Sequence, residues 1–242
     1  MLLPSTSPIL AGPPDLVAWN LITRLGDAEL LLPLVPLAAL WLWLGAGQGA
    51  LASRWTLRMA LTAGLTVATK IAFFGWQIGV ADWDFTGVSG HAMFACASYP
   101  MLIWTVLMNR SRPVQLLGVG AGALLGVLIA YSRLPVQAHS ASEVLVGAGL
   151  GLWVSLSCVP LQRSGPALPA WSPVVAAVLL GLMVVAAPPS RTGGAIEQIS
   201  MQLSGKSRAY TRDDLRRLRV ELHLYAPPER RRLDRDRTVR SR

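Results

Sequence analysis

Six runs of mostly apolar residues, joined by short links, limit this chain more than any other feature. They extend from about Ala28 to Leu44, Thr56 to Val80, His91 to Met108, Val114 to Tyr131, Ala141 to Leu161 and Pro173 to Ala187. A helix needs about 20 such residues to cross a hydrocarbon layer, so these runs predict an all-α, polytopic membrane bundle of about six transmembrane helices. Links as short as Asn109–Pro113 imply antiparallel neighbours.

Composition agrees. Charged residues are 14% of the chain and mean hydropathy is +0.45, whereas soluble domains carry about 25% charged residues. Nine Trp outnumber four Phe and four Tyr, as expected for a surface at a lipid boundary. The net charge of +9 is concentrated after Ser190, where fourteen Lys/Arg face seven Asp/Glu. That basic tail predicts contact with anionic lipid headgroups and not with nucleic acid. Cys96 and Cys158 lie inside apolar runs and read as small core residues, although a disulfide is conceivable.

Three units follow. Residues 1–26 form a Pro-rich lead without a basic n-region, then a helix from Leu16 to Leu25 that is too polar to span and is expected at the interface. Residues 27–189 form the transmembrane domain. Residues 190–242 form a tail with a capping box at Thr211 and Asp214, and with Leu215, Leu218 and Leu222 on one face. Gly118, Gly122 and Gly126 recur every four residues, as do Gly147 and Gly151. Small residues at that interval let helices approach closely in lipid and predict that the fourth and fifth runs clamp together. Oligomeric state is not legible.

The polar residues inside these runs are few, which makes them candidate functional groups. Lys70 lies in the second run, Ser89-Gly90-His91 opens the third, and Ser132-Arg133 and His139 through Glu143 stand between the fourth and fifth. Arg133 offers a fork of donors matched to phosphate oxygens. Ser89 and Gly90 stand at a helix start, where N–H groups favour an anion. His139 and Glu143, four apart, share a helix face, so the carboxylate can fix the imidazole tautomer and leave one nitrogen to attack phosphorus. His91, from another helix, can protonate a leaving oxygen. Bland alternatives exist: Ser140 to Glu143 is also a capping box, and Lys70 can simply snorkel. Asp82-Trp83-Asp84 has the form of an Asp-x-Asp metal motif but reads as solvated caps at a turn. No P-loop and no His/Cys/Asp cluster at metal spacing is present in the sequence.

In order and spacing these residues resemble the type 2 phosphatidic acid phosphatase superfamily, in its membrane-embedded bacterial branch. That family carries Lys-x6-Arg-Pro, then Pro-Ser-Gly-His, then Ser-Arg-x5-His-x3-Asp. Here the third motif is Ser132-Arg133, five residues, His139, three residues, Glu143, with glutamate for aspartate. The second is Val88-Ser89-Gly90-His91, with valine for proline. The first keeps Lys70 but has Gln77 and Ile78 at the Arg-Pro positions. The resemblance covers roughly Lys70 to Glu143.

The resemblance implies a metal-independent lipid phosphatase without cofactor. His139 would be the nucleophile, Glu143 its orienting partner and His91 the general acid. Lys70, Ser89, Gly90 and Arg133 would hold phosphate, with Gln77, two helical turns from Lys70, as a neutral donor. The substrate would be phosphatidic acid, a prenyl diphosphate or a lipid A phosphate. A phosphotransferase using the same site, and a non-catalytic lipid-binding or transport protein, are the alternatives. Arg54, Arg58, Arg110, Arg112 and Arg163 fall opposite the motif loops, which predicts a bacterial inner membrane with the site on its periplasmic face.

Overall fold

The computed structural model describes residues 14–160 and 192–224. The chain opens with α1 (Pro14–Arg24), a tight turn, and α2 (Ala28–Leu40), which runs into a π-helical turn at Trp41–Gly45. Then come α3 (Gly49–Trp76), α4 (Gly90–Leu107), α5 (Arg112–Ser132) and α6 (Ala141–Leu156). Beyond residue 191 lie α7 (Thr192–Ser204) and α8 (Arg212–Leu224).

The all-helical bundle is as the sequence implied. Four stretches are long and apolar enough to cross a membrane: Leu16–Gly45, Gly49–Trp76, Gly90–Leu107 and Arg112–Ser132. The helix Ala141–Leu156 is apolar but shorter. The sixth expected run, Pro173–Ala187, and Arg163 lie outside the described residues. Large apolar side chains cover the outer faces: Leu61, Leu117, Leu124 and Leu145 are all more than 60% exposed. Such a surface suits hydrocarbon and not water.

Helix α4 is the most buried of the spans, and α2, α3, α5 and α6 pack around it. Met93, Ala97, Met101 and Trp104 on α4 are fully buried with Leu42, Leu51 and Trp55. The Trp55 indole N–H donates to the Ala97 carbonyl at 3.1 Å, so a buried polar group on α3 is satisfied by α4.

The glycine spacing proved structural, with a different partner from the one expected. α5 and α6 do not clamp each other; both press their glycines onto α4. A Cβ on Gly122 would come within 2.8 Å of Pro100 Cα, and one on Gly126 within 2.9 Å of Cys96 Cα. Gly147 faces the Ser89 carbonyl, and Gly151 faces the Met93 carbonyl and Cys96. A period-four stripe states that something comes close, but not which helix it is. Cys96 and Cys158 are buried free thiols. Adding bulk at this seam should be costly. Gly151→Val is expected to lower stability by about 1–3 kcal/mol. Gly149→Ala, with nothing within 4 Å of the added carbon, should be neutral or slightly stabilising. Thermal unfolding in detergent checks this, and equal behaviour of the two variants would contradict the packing.

The chain reversals place the motifs at one end. The α1–α2 turn, the end of α3, the 77–89 loop, the start of α4, the end of α5 and the 133–140 loop all meet there. At the opposite end Arg58 reaches from α3 to the Ser157 carbonyl at 3.0 Å and lies over the Trp153 ring.

Candidate functional site

Glu143 is where the two histidine motifs and the tail converge. Ser140 caps α6 and forms a reciprocal capping box with Glu143: the Ser140 N–H donates to Glu143 Oε2 at 3.2 Å and the Glu143 N–H to Ser140 Oγ. His139 therefore precedes the helix and does not share a helix face with Glu143. The glutamate, at the third helical position, folds back over the cap and its Oε2 lies 2.7 Å from His139 Nδ1. Capping and histidine pairing, alternatives on sequence grounds, are both made by one carboxylate.

That carboxylate is completely buried and accepts from five donors. Oε2 takes His139 Nδ1, the Ser140 N–H and Arg212 Nη2 at 2.8 Å; Oε1 takes the Thr86 N–H at 2.6 Å and the Thr86 hydroxyl. An ionised carboxylate only accepts, so the imidazole proton sits on Nδ1 and the Nε2 lone pair is left available. Burial pushes the His139 imidazolium down to about 4. The Glu143 hydrogen bond opposes that shift, and the Lys70 and Arg133 charges reinforce it.

The second motif is bound to the third through the backbone. The Ser89 N–H donates to the Glu143 carbonyl at 3.2 Å, so this N–H is not one of the unpaired groups expected at the start of α4. Its hydroxyl is fully buried and has no hydrogen-bond partner among the described residues. The same holds for Arg133 Nε, while Arg133 Nη1 donates to Thr23 Oγ1 at 2.6 Å. Buried donors without partners are rare and point to a ligand. A Cβ on Gly90 would meet only the Thr66 methyl, at 3.9 Å, so protein packing does not require glycine there.

His91 lies in the first turn of α4, and its Nε2 is 2.7 Å from Asp27 Oδ1. Lys70, half-buried on α3, is backed by Gly87, where a Cβ would come within 3.0 Å of Lys70 Cγ. Lys70 and Arg133 are both close enough to act electrostatically on both imidazoles. Lys70, Ser89, Gly90, His91, Arg133, His139 and Glu143 are thus gathered at one end of the bundle.

Gln77 differs. α3 stops at Trp76, and Gln77 adopts a left-handed conformation with φ 59°. Its N–H bonds the Phe73 carbonyl and the Ile78 N–H bonds the Ala72 carbonyl, a hairpin-like helix stop. Two turns on one helical face therefore do not relate it to Lys70. Asp84 is not a solvated cap, whereas the Asp82 side chain is 71% exposed in the first turn of a short 3-10 helix. Asp84 pairs with Arg212 at 3.0 Å and Arg216 at 3.1 Å, and Asp82 with Arg219 at 3.6 Å. Among the described residues no group of three or more His, Cys, Asp or Glu is arranged to hold a metal.

Sequence reasoning missed Thr23, Asp27, Thr86 and Arg212. Asp27 lies between Gly26 and the first apolar run, at the N-cap of α2, and nothing local distinguishes a capping aspartate from a histidine partner. Thr86 and Arg212 carried no motif.

Comparison with known proteins agrees with the geometry. A family model described as the PAP2 superfamily matches residues 64–165. The chain is 31% identical over 202 residues to an uncharacterized 22.5 kDa protein in the cps region of Klebsiella pneumoniae, a match covering 81% of this chain and 97% of that protein. Over 83 residues it is 30% identical to an undecaprenyl-diphosphatase of Sulfolobus acidocaldarius, covering 34% of this chain and 36% of that protein. No solved structure matches it. With His139, Arg133, Ser89 and His91 assembled inside the matched segment, the chain belongs to the PAP2 superfamily, a family of lipid phosphatases.

Proposed function

We propose that this protein hydrolyses a lipid phosphomonoester or diphosphate through a phosphohistidine on His139, without a metal ion. The observation that carries the reading is the His139–Glu143 pair, with Nδ1 tied down and Nε2 available, beside the unpartnered donors Ser89 Oγ and Arg133 Nε. Those donors, Lys70 and the Gly90 N–H would hold the phosphoryl oxygens as charge spreads over them. His139 Nε2 attacks phosphorus and the bond to the lipid oxygen breaks. His91 gives its proton to that oxygen. Water then attacks phosphorus as His91 takes its proton, the phosphorus–nitrogen bond breaks, and inorganic phosphate leaves with both imidazoles restored to their starting protonation.

Asp27 would support the second imidazole as Glu143 supports the first, because it accepts from His91 Nε2 and leaves Nδ1 for proton exchange. Asp27→Asn is expected to lower kcat by about 10-fold or more, part of what general acid help is worth, with little change in KM. Unchanged steady-state turnover would remove Asp27 from the reaction.

The substrate class rests on the family and on likeness to an undecaprenyl-diphosphatase. A prenyl diphosphate therefore leads the panel, ahead of phosphatidic acid and a lipid A phosphate. We place the site at the periplasmic face of a bacterial inner membrane, since Arg54, Arg110 and Arg112 lie at the other end of the helices. The test is phosphate release from this panel by purified protein, in excess chelator and with vanadate as inhibitor. Release that persists in chelator supports the reading. Transfer of the phosphoryl group to an added lipid alcohol would make the protein a phosphotransferase. Lipid binding without turnover would make it a binding or transport protein.

A further inference from the structure

The described part of the basic tail packs against the helical bundle. α7 lies on α3, with the Ser200 carbonyl against Gly75, where a Cβ would be only 3.2 Å away. The Tyr210 N–H donates to the Phe74 carbonyl at 2.9 Å. Leu215 of α8 is 1% exposed, against Gly79. Arg208 binds both Asp214 oxygens, and Thr211 closes the start of the helix through the same carboxylate.

These contacts set Arg212, the first residue of α8, beside the buried dyad. Nη2 donates to Glu143 Oε2 at 2.8 Å and approaches Thr86 Oγ1 at 3.4 Å. Nη1 donates to the Asp84 carbonyl at 2.6 Å and to its carboxylate at 3.0 Å. A cation in a helix's first turn opposes the helix dipole, so local helix stability does not explain it. A fully buried carboxylate without a counter-charge is expensive, and a neutral His139 cannot provide one. The guanidinium does, through the oxygen that also accepts from His139.

We propose that Arg212 is a positioning residue: it holds Glu143 ionised and oriented, and through it holds the His139 tautomer with Nε2 available, so that the tail completes the site. The inference rests on reading His139 as the nucleophile. His139 faces Glu143 from α6, Lys70 from α3 and Arg133 from its own loop. Through Glu143 it also faces Arg212 from α8, with Asp84 behind. Burial lowers the Arg212 pKa, but its bonds to Glu143 and Asp84 outweigh this and raise it above the ordinary arginine value; it stays charged throughout the working pH range.

The experiment uses full-length protein in nanodiscs: wild type, Arg212→Met, Arg212→Lys and Arg216→Ala. The His139 ring is titrated by NMR, with His91 and His223 assigned by their own substitutions, and phosphate release is followed against pH. In Arg212→Met the His139 titration should rise by about one unit, because loss of a nearby cation leaves Glu143 free to favour the imidazolium. kcat should fall about 10–100-fold, with KM within about 3-fold. Arg212→Lys should restore the titration and only part of kcat, since an ammonium lacks the fork. Arg216→Ala loosens the tail at Asp84 without touching Glu143 and should leave both readouts near wild type. The proposal is overturned if Arg212→Met titrates and turns over like wild type, or if Arg216→Ala reproduces its changes. A wild type that releases no phosphate while Arg212→Met still shifts the titration would overturn the phosphatase reading and the positioning role with it. The electrostatic link from Arg212 to His139 would then stand alone.

Discussion

His139→Ala is expected to reduce phosphate release by at least about 10³-fold, to the level of protein-free lipid, because the proposed route runs through a phosphoryl group carried on this ring. Folding should survive. The substitution removes one of the five bonds to Glu143, and Arg212, Thr86 and the Ser140 N–H keep the carboxylate satisfied. Thermal unfolding should therefore stay close to wild type while turnover disappears. A variant that keeps more than a few per cent of wild-type release would rule His139 out as nucleophile.

The pH dependence adds a second check on the same residue. With the folded-state imidazolium held down to about 4, His139 is neutral throughout pH 5–8, as the proposed nucleophile must be. An acid limb near pH 6 to 7 must then come from another group, and it should persist unmoved when only the surroundings of His139 are changed. The stability contribution has a definite sign. The folded value lies below the ordinary 6.5, so as pH falls from 6.5 toward 4 the unfolded chain binds a proton that the folded chain refuses. Stability conferred by neutral His139 is present above pH 6.5 and declines through that window. A Tm that rose on acidification from pH 7 to 5 would contradict the burial of this ring.

Glu143→Ala should be damaging in both respects. It deletes a buried anion that satisfies five donors and leaves the Arg212 guanidinium facing Asp84 alone. Breaking a buried charge pair from one side costs about 3–5 kcal/mol; the Ser140 Oγ cap survives, because its bond is to the backbone N–H of residue 143. Destabilisation of about 4 kcal/mol is expected, with turnover down about 10³-fold or more, because the His139 tautomer is no longer selected. Glu143→Gln separates the two effects. It keeps the shape and one acceptor, so it should recover much of the stability while turnover stays low. Recovery of turnover together with stability in Glu143→Gln would mean that the carboxylate's charge has no part in the reaction.

Much of this is legible in the amino-acid sequence. The apolar runs specify helices because a chain in hydrocarbon must satisfy its backbone within each segment. The motif residues stood out because a bilayer protein rarely carries a lysine, an arginine and two histidines in such places without use. His139 and Glu143 were pairable from spacing alone, since four residues bring two side chains together both along a helix and across its first turn.

What tertiary structure alone decided is which distant groups complete those residues. The glycine stripes announced close packing, and only the fold showed α4 as the common partner of α5 and α6. Asp27 reaches His91 across 64 residues, and Arg212 reaches Glu143 across 69. Neither pairing leaves a local trace, because a single aspartate or arginine beside a helix end is explained equally well by capping or by solvation. Gln77 shows the converse: a helical-face argument holds only while the helix lasts, and α3 ends one residue earlier. Sequence determined the helices and the chemistry each one carries, through forces that act within a few residues. The counter-charges for the buried dyad were settled by long-range packing, which brings the 77–89 loop and the first turn of α8 over the same carboxylate.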